Sequence, residues 1–449
     1  MRTSLVALAR SLADRQISSR QLLEHSLAAI RDPAGEGART FLVVHESEAL
    51  AAADRVDAQR RAGAKLPVLA GLPISIKDNF DEAGHVTLAG SKVLRDAPAA
   101  QRDSLVVARL RAAGAIIIGR TNMTEFAYSG LGINPHYGTP RNVFDRATGR
   151  IPGGSSSGAA ISIADGMAAA AIGTDTGGSV RIPAALNGLV GFKPTAQRVP
   201  LDGVLPLSTT LDSVGPLGWT VTDCVVLDQV LADEAVVPVA PVQLRGLRFA
   251  VPTTIAQDDL SADVAAAFAA ALARLSAAGA SVTEVPMQAL AHAADVNPRG
   301  ALVSAEAFSW HREWLQRGAD QYDPRVIFRI RPGEKVGAEE FAELVRRRAR
   351  FIEEVDRAAA GYDAILMPTT PDTAPAIAEV VKDDDSYLRW NGRMLRNPAL
   401  VNSFDGCALS IPCHEPGSAP VGLMIAGTRN ADRKILAIGQ AIEALSTRA

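Results

Sequence analysis

Cysteine is scarce in this chain of 449 residues: only Cys224, Cys407 and Cys413 occur, an odd number without metal-binding spacing. No disulfide framework follows, and a reduced, cytoplasmic setting is expected. Histidine is nearly as sparse, with seven scattered residues and no HxxxH pattern. Neither a structural nor a catalytic metal is expected, and no cofactor. No apolar run reaches the roughly 18 residues that cross a bilayer. Even 168–172 is soon broken by Gly173 and Asp175. The first 30 residues alternate apolar and charged positions at helical spacing instead of forming a secretory block, which predicts a pair of surface helices. Charge of one sign is also missing: the net charge is -3 and the pI is near 6.2. That leaves no basic field to recruit nucleic acid. Arg346, Arg347, Arg348 and Arg350 share a helical pattern with Glu339, Glu340 and Glu343 and read as a solvated, salt-bridged face. Lys382, Asp383, Asp384 and Asp385 read as a solvated loop.

What is present is concentrated between Pro152 and Thr195, where two glycine-serine turns flank a run of small residues. The first turn is GGSSSG, carrying Ser155; the second lies in GTDTGGSVRIPA, carrying Ser179; GLVGFKPT follows. Taken alone, a glycine-serine cluster is ordinarily a flexible loop, and no Gly-Lys-Ser/Thr follows to make it a phosphate cradle. The run after Ser155 is short-sided enough for a closely packed buried helix. Upstream, 72–80 reads LPISIKDNF, an apolar strand that delivers Lys77 to its end. A lysine there would ordinarily be solvated.

Together, these segments resemble the amidase signature family, in the right order and spacing. The resemblance implies that Ser179 is the nucleophile, that Ser155 is a bridging serine preceded by a cis peptide bond, and that Lys77 is the general base. The chemistry of such a triad can be argued separately. A serine hydroxyl is a poor nucleophile until a neighbour takes its proton, so the lysine must be neutral. Burial against Ile74 and Ile76 disfavours its charged form. The backbone N–H groups of Thr176, Gly177, Gly178 and Ser179 are expected to form an oxyanion hole, worth about 2.7 to 4 kcal/mol per donor. Asp175 and Arg181 look like an ion pair framing the turn; an Arg181 that reads a substrate carboxylate is the alternative.

The chain is 47% hydrophobic and 21% charged, enough for a large core. Length alone would allow about three domains, but no linker or repeat divides it. Apolar segments at 72–76, 115–118, 248–251, 281–285, 364–367 and 421–426 predict strands. Amphipathic patterns at 104–113, 222–232, 261–277 and 338–360 predict helices between them. This alternation predicts an α/β protein with a largely parallel or mixed sheet covered on both faces. The resemblance implies one α/β/α domain over 1–449, with N-terminal helices in 1–66, the signature core in 70–217 and a closing part in 362–442. Residues 290–399 match no family motif and are expected to hold the substrate pocket and its lid. Phe308, Trp310, Trp314, Tyr322, Phe328, Tyr387 and Trp390 fall there; each alone reads as core, and together they favour apolar or aryl groups. The expected activity is hydrolysis of small neutral carboxamides, with carbamates and esters as related substrates. The alternatives are the glutamine-hydrolysing amidase component of a tRNA-dependent amidotransferase, and a binding module with a decayed site. A small molecule is the expected partner, and the oligomeric state stays open, a homodimer among the readings.

Overall fold

Eleven strands form one mixed sheet in this computed structural model, which describes residues 3–240 and 242–446. In chain order they are β1 (Phe41–Val44), β2 (Pro73–Lys77), β3 (Ile116–Thr121), β4 (Ala170–Asp175), β5 (Val190–Lys193), β6 (Ser213–Gly218), β7 (Arg248–Pro252), β8 (Ser281–Val285), β9 (Ala364–Pro368), β10 (Cys407–Pro412) and β11 (Gly422–Gly427). Across the sheet the order is β1-β3-β2-β4-β6-β5-β10-β11-β9-β7-β8. Strands β3, β2 and β4 are parallel, as are β9, β7 and β8; the strands between β4 and β9 pair antiparallel.

Helices cover both faces. On one side Ile74 and Ile76 of β2 pack with Leu8, Val107 and Leu110. On the other, the Ser75 hydroxyl lies 2.8 Å from Ser162 Oγ in the helix Ser157–Ala164. The far half repeats the pattern: Leu366 and Ile425 pack with Ile435 and Leu436, while Ile365 and Met424 pack with Phe351 and Val355. The chain is thus a single α/β domain around a large mixed sheet. Every residue of β2 and β3 is buried, which is why three isoleucines follow one another at the start of β3 in place of an alternation. The predicted helices recur as Leu105–Ala112, Val221–Leu231, Ala262–Ala277 and Ala338–Ala359.

Three expectations need correction. The small-residue run after Ser155 is a helix only to Ala164; a turn with Gly166 at φ 73° follows, and the alanines continue as β4. Here β4 finds backbone partners on both edges, β2 and β6, which outweighs alanine's helix propensity. Lys382 to Asp385 is not a free loop: the Asp383 carboxylate accepts the Ser386 N–H at 2.7 Å and caps the helix Asp384–Ser403. Arg346, Arg347 and Arg350 do gather on Glu343, but Arg348 turns inward to the Asn402 carbonyl at 3.3 Å and to Asp405.

Beside Lys77, the Asp78 carboxylate is buried with Arg120 of β3, whose Nε lies 2.8 Å from Asp78 Oδ1. Replacing Arg120 by Met leaves that carboxylate without its cation, so Arg120→Met should cost about 3–5 kcal/mol of stability, measured by urea unfolding. Adding Asp78→Asn should recover part of the loss. A double variant no more stable than the single one would show that this pair is not the source.

Candidate active site

Strands β2 and β4 lie side by side and parallel, with Ile76 opposite Ile172, so their C-terminal ends deliver Lys77 and the Thr174–Asp175 pair to one place. Lys77 is completely buried there. Its Nζ lies 2.8 Å from Ser155 Oγ and 2.7 Å from Thr174 Oγ1. Asn79 Nδ2 donates to the same threonine hydroxyl at 3.2 Å. Burial pushes the Lys77 amine down to about 7, against an upward pull from Asp212 and then Asp175.

Ser155 arrives from the first glycine turn, after a cis Gly154–Ser155 peptide. The Ser156 N–H donates to the Ser179 carbonyl at 3.2 Å and joins the two glycine turns. Glycine is required in the first: a Cβ on Gly154 would come 2.4 Å from the Gly132 nitrogen. Ser179 itself is 3% exposed and lines a cavity of about 330 Å3 with Thr176 and Gly177. The structure thus brings Lys77 and Ser155 into direct contact and joins the Ser179 turn to them through Ser156.

Asp175 organises the second turn. Its carboxylate accepts the N–H groups of Gly178 at 2.8 Å and Val180 at 3.0 Å. It also meets Arg181 Nη2 at 2.9 Å and Asn402 Nδ2 at 2.9 Å. Burial alone would raise its pKa; Arg181, Lys193 and Asn402 together outweigh that and hold it well below the usual carboxylate range. Arg181 and Asp175 are both fully buried, so Arg181 does not project toward the cavity as a substrate reader would. Gly178 departs from the expected oxyanion donors, because its N–H is committed to Asp175. The N–H groups of Thr176, Gly177 and Ser179 have no protein acceptor among the described residues.

Asn79, Asp212 and Asn402 do not stand out in the sequence. Thr174 lies inside the GTDTGGS motif and has a signal there; the others are common residue types outside it. Asp212 accepts the Thr176 hydroxyl and the N–H groups of Leu207 at 2.9 Å and Ser208 at 3.1 Å. Burial raises it to about 6.

Much of the cavity wall comes from 290–399, including Val303, Phe328, Arg329, Leu388 and Leu395. Of the ten aromatics in that span, only Phe328 lines this cavity. Phe308 and Trp310 border a separate one of about 520 Å3, and Tyr322 and Tyr387 are core. No helix among the described residues is long and apolar enough to cross a membrane.

Comparison with known proteins agrees with this architecture. A family profile described as Amidase matches residues 23–436. The chain is 38% identical to the 2-amino-5-chloromuconic acid deaminase of Comamonas testosteroni, over 89% of this chain and 87% of that protein. It is 34% identical to the A subunit of the glutamyl-tRNA(Gln) amidotransferase of Symbiobacterium thermophilum, over 95% and 93% of the two chains. It is also 34% identical to the mandelamide hydrolase of Pseudomonas putida, over 96% and 89%. A crystal structure of an amidase superposes with a TM-score of 0.88 at 32% identity, covering 98% of this chain and 99% of that one.

The buried amine makes a stability prediction. With Lys77 at about 7 in the fold against an ordinary 10.5, the unfolded chain binds the extra proton between those values. Stability should therefore climb with pH through that window, and the penalty should be full below it. Lys77→Met removes the climb. Its advantage over wild type in urea unfolding should be larger at about pH 6 than at about pH 9, by roughly 2–3 kcal/mol at about 1.4 kcal/mol per pKa unit. Equal advantages at the two pH values would place the amine in water.

Proposed function

The chain belongs to the amidase family and is a hydrolase of carbon–nitrogen bonds, and we propose that it cleaves small carboxamides through an acyl-enzyme on Ser179. The observation that carries this reading is the 2.8 Å contact between Lys77 Nζ and Ser155 Oγ, made by an amine that burial lowers to about 7. Neutral Lys77 takes the Ser155 proton while Ser155 takes that of Ser179, whose Oγ attacks the carbonyl carbon. Negative charge then develops on the carbonyl oxygen. The N–H groups of Thr176, Gly177 and Ser179 are positioned on the turn to receive it, and being preorganised they need no rearrangement as it forms. The relay then runs backwards, protonating the departing nitrogen as the C–N bond breaks, since an amide anion is too poor a leaving group to depart unaided. Water, deprotonated through the same relay, releases the acid. Asp175 and Arg181 act through the shape of the turn and touch no reacting atom.

Leu207, Leu211, Val303, Phe328, Leu388 and Leu395 line the cavity, which supports a neutral substrate with an apolar or aryl group. Aryl carbamates and esters present the same planar carbonyl and belong to the same class. A second reading is favoured by one feature: Arg299 and Arg329 also line the cavity, and no carboxylate does. A substrate bearing its own carboxylate would find a partner there, and the Comamonas relative is named for an acid. The protein is proposed to act in the cytoplasm on a small molecule, without a nucleic-acid partner.

Ranking kcat/KM over aryl amides, aliphatic amides, aryl carbamates, carboxylate-bearing amides and glutamine tests the substrate class. Neutral aryl amides should lead, and Arg329→Met should change their rate less than tenfold. A lead for carboxylate-bearing amides that is lost in Arg329→Met would establish the second reading. Turnover of glutamine alone would move the chain to the amidotransferase role.

Ser179→Ala should abolish turnover, and Ser155→Ala and Lys77→Met should each cost several orders of magnitude. The losses should not add, because the residues act as a unit. In wild type, kcat/KM should rise with pH through about 7 to a plateau as Lys77 loses its proton. Near wild-type turnover by Ser179→Ala would refute the nucleophile assignment.

A further inference from the structure

Histidine spacing in the sequence points to no metal, yet the fold gathers two histidines that lie far apart in the chain. His45 immediately precedes the helix Glu46–Arg61, and His85 lies on the loop that follows β2; their ring centroids are 4.6 Å apart. Glu48, in the first turn of that helix, joins them. One ligand atom from each of His45, Glu48 and His85 lies within 4.8 Å of the other two.

The geometry points to a divalent zinc site formed by His45, Glu48 and His85. His45 Nδ1 and Glu48 Oε2 are 3.5 Å apart, close to the edge of a tetrahedron whose metal–ligand bonds are about 2.1 Å. His45 is also already oriented for the role. Its Nε2 lies 2.8 Å from Oε2 of Glu82, a carboxylate only 1% exposed. Arg111 Nη2 holds the other Glu82 oxygen at 2.7 Å and Arg120 Nη1 lies 3.8 Å from Oε2, so the carboxylate is fixed in place behind the ring. With Nε2 turned to Glu82, it is Nδ1 that faces Glu48. A carboxylate behind a ligating histidine is the usual support for zinc, fixing the tautomer and strengthening the donor.

Access and charge fit as well. The three side chains border a cavity of about 490 Å3, and the Glu48 side chain is 73% exposed, so an ion can enter and keep a water as fourth ligand. Closing the site requires His85 and Glu48 to draw in by rotation about their own side-chain bonds. Two arginines border the same cavity: Arg111, whose charge is engaged by Glu82 at 2.7 Å and by Asp103, and Arg55, which is exposed to solvent. Two imidazoles and one carboxylate suit zinc and not magnesium or calcium, which take oxygen ligands. Bound there, zinc would tie the start of the helix Glu46–Arg61 to the loop that leaves Lys77.

The test uses untagged full-length protein, stripped with a chelator and dialysed. Titration with Zn2+ by calorimetry should give one ion per chain and a higher Tm, and Mg2+ should give neither. His85→Ala and Glu48→Gln should each weaken Zn2+ binding at least tenfold. Glu82→Gln should weaken it by roughly ten- to a hundredfold through His45. His292→Ala, which removes an exposed histidine paired with Glu354, should leave it unchanged. Unaltered zinc-free unfolding shows that a variant is folded; should His85→Ala fail that criterion, Glu48→Gln, altered at an exposed position, decides. No binding by wild type, or wild-type affinity in Glu48→Gln, overturns the site.

Discussion

One amine taken out of water sets the terms for the rest of the site. Lys77 is buried because β2 is flanked by β3 and β4 and covered on both faces, so a side chain at its end inherits the dryness of the sheet. Desolvation is the largest influence on the amine, and two carboxylates oppose it. Asp175 is paired with Arg181, which offsets its charge, whereas Asp212, raised to about 6 by burial, has its oxygens taken up by the Thr176 hydroxyl and the N–H groups of Leu207 and Ser208. Desolvation outweighs the attraction of both and leaves the amine at about 7. The Asp175–Arg181 pair therefore has an electrostatic consequence for Lys77 as well as a geometric one for the turn.

That geometric consequence is a sorting of N–H groups. By accepting the N–H groups of Gly178 and Val180, the Asp175 carboxylate fixes the course of the chain around Ser179 and leaves Thr176, Gly177 and Ser179 with N–H groups uncommitted. The anchor is long-range. Arg181 Nη2 also donates to Asn402 Oδ1 at 2.6 Å, and Arg348 donates to the Asn402 carbonyl at 3.3 Å. A turn rich in glycine, flexible by composition, is thus held by charged hydrogen bonds from distant helices, and such bonds are about twice as strong as neutral ones.

This division explains what is legible in the sequence. Lys77, Ser155 and Ser179 stand in contiguous motifs whose residue types are dictated by local turns and by chemistry, so they are visible. Asn402 and Asp212 do comparable structural work with common side chains brought in from afar, and nothing local distinguishes them. Strands rich in branched aliphatics, such as β2, β3 and β9, are legible for the same local reason. Strand β4 is not, because AAIGTD is built of residues that fit a helix as well. Strand β6 contains Pro216, which argues against a central strand, yet it pairs on both sides. The proximity of His45 and His85 is equally hidden, because spacing shows neighbours on one helix and not neighbours that the fold brings together from a helix start and a loop.

The smallness of β4 has a further consequence. A Cβ on Gly173 would come 2.5 Å from Ser156 Oγ, and one on Gly158 would come 2.5 Å from the Thr40 carbonyl. The helix bearing the first serine turn is pressed so closely onto the sheet that this wall of the site has no room for variation. The opposite wall of the cavity is formed by Val303, Phe328, Arg329, Leu388 and Leu395, from helices and loops of 290–399, and on the proposed reading discrimination between substrates falls to it. Phe328 at 63% exposure and Leu388 at 40% stand largely free of neighbours there, while Val303 and Leu395 pack into the core behind them. On the proposed reading, the reacting groups and the selecting groups are encoded in different stretches of chain, the first under tight steric constraint. A sequence of this kind declares the bond it cleaves far more plainly than the molecule that carries the bond.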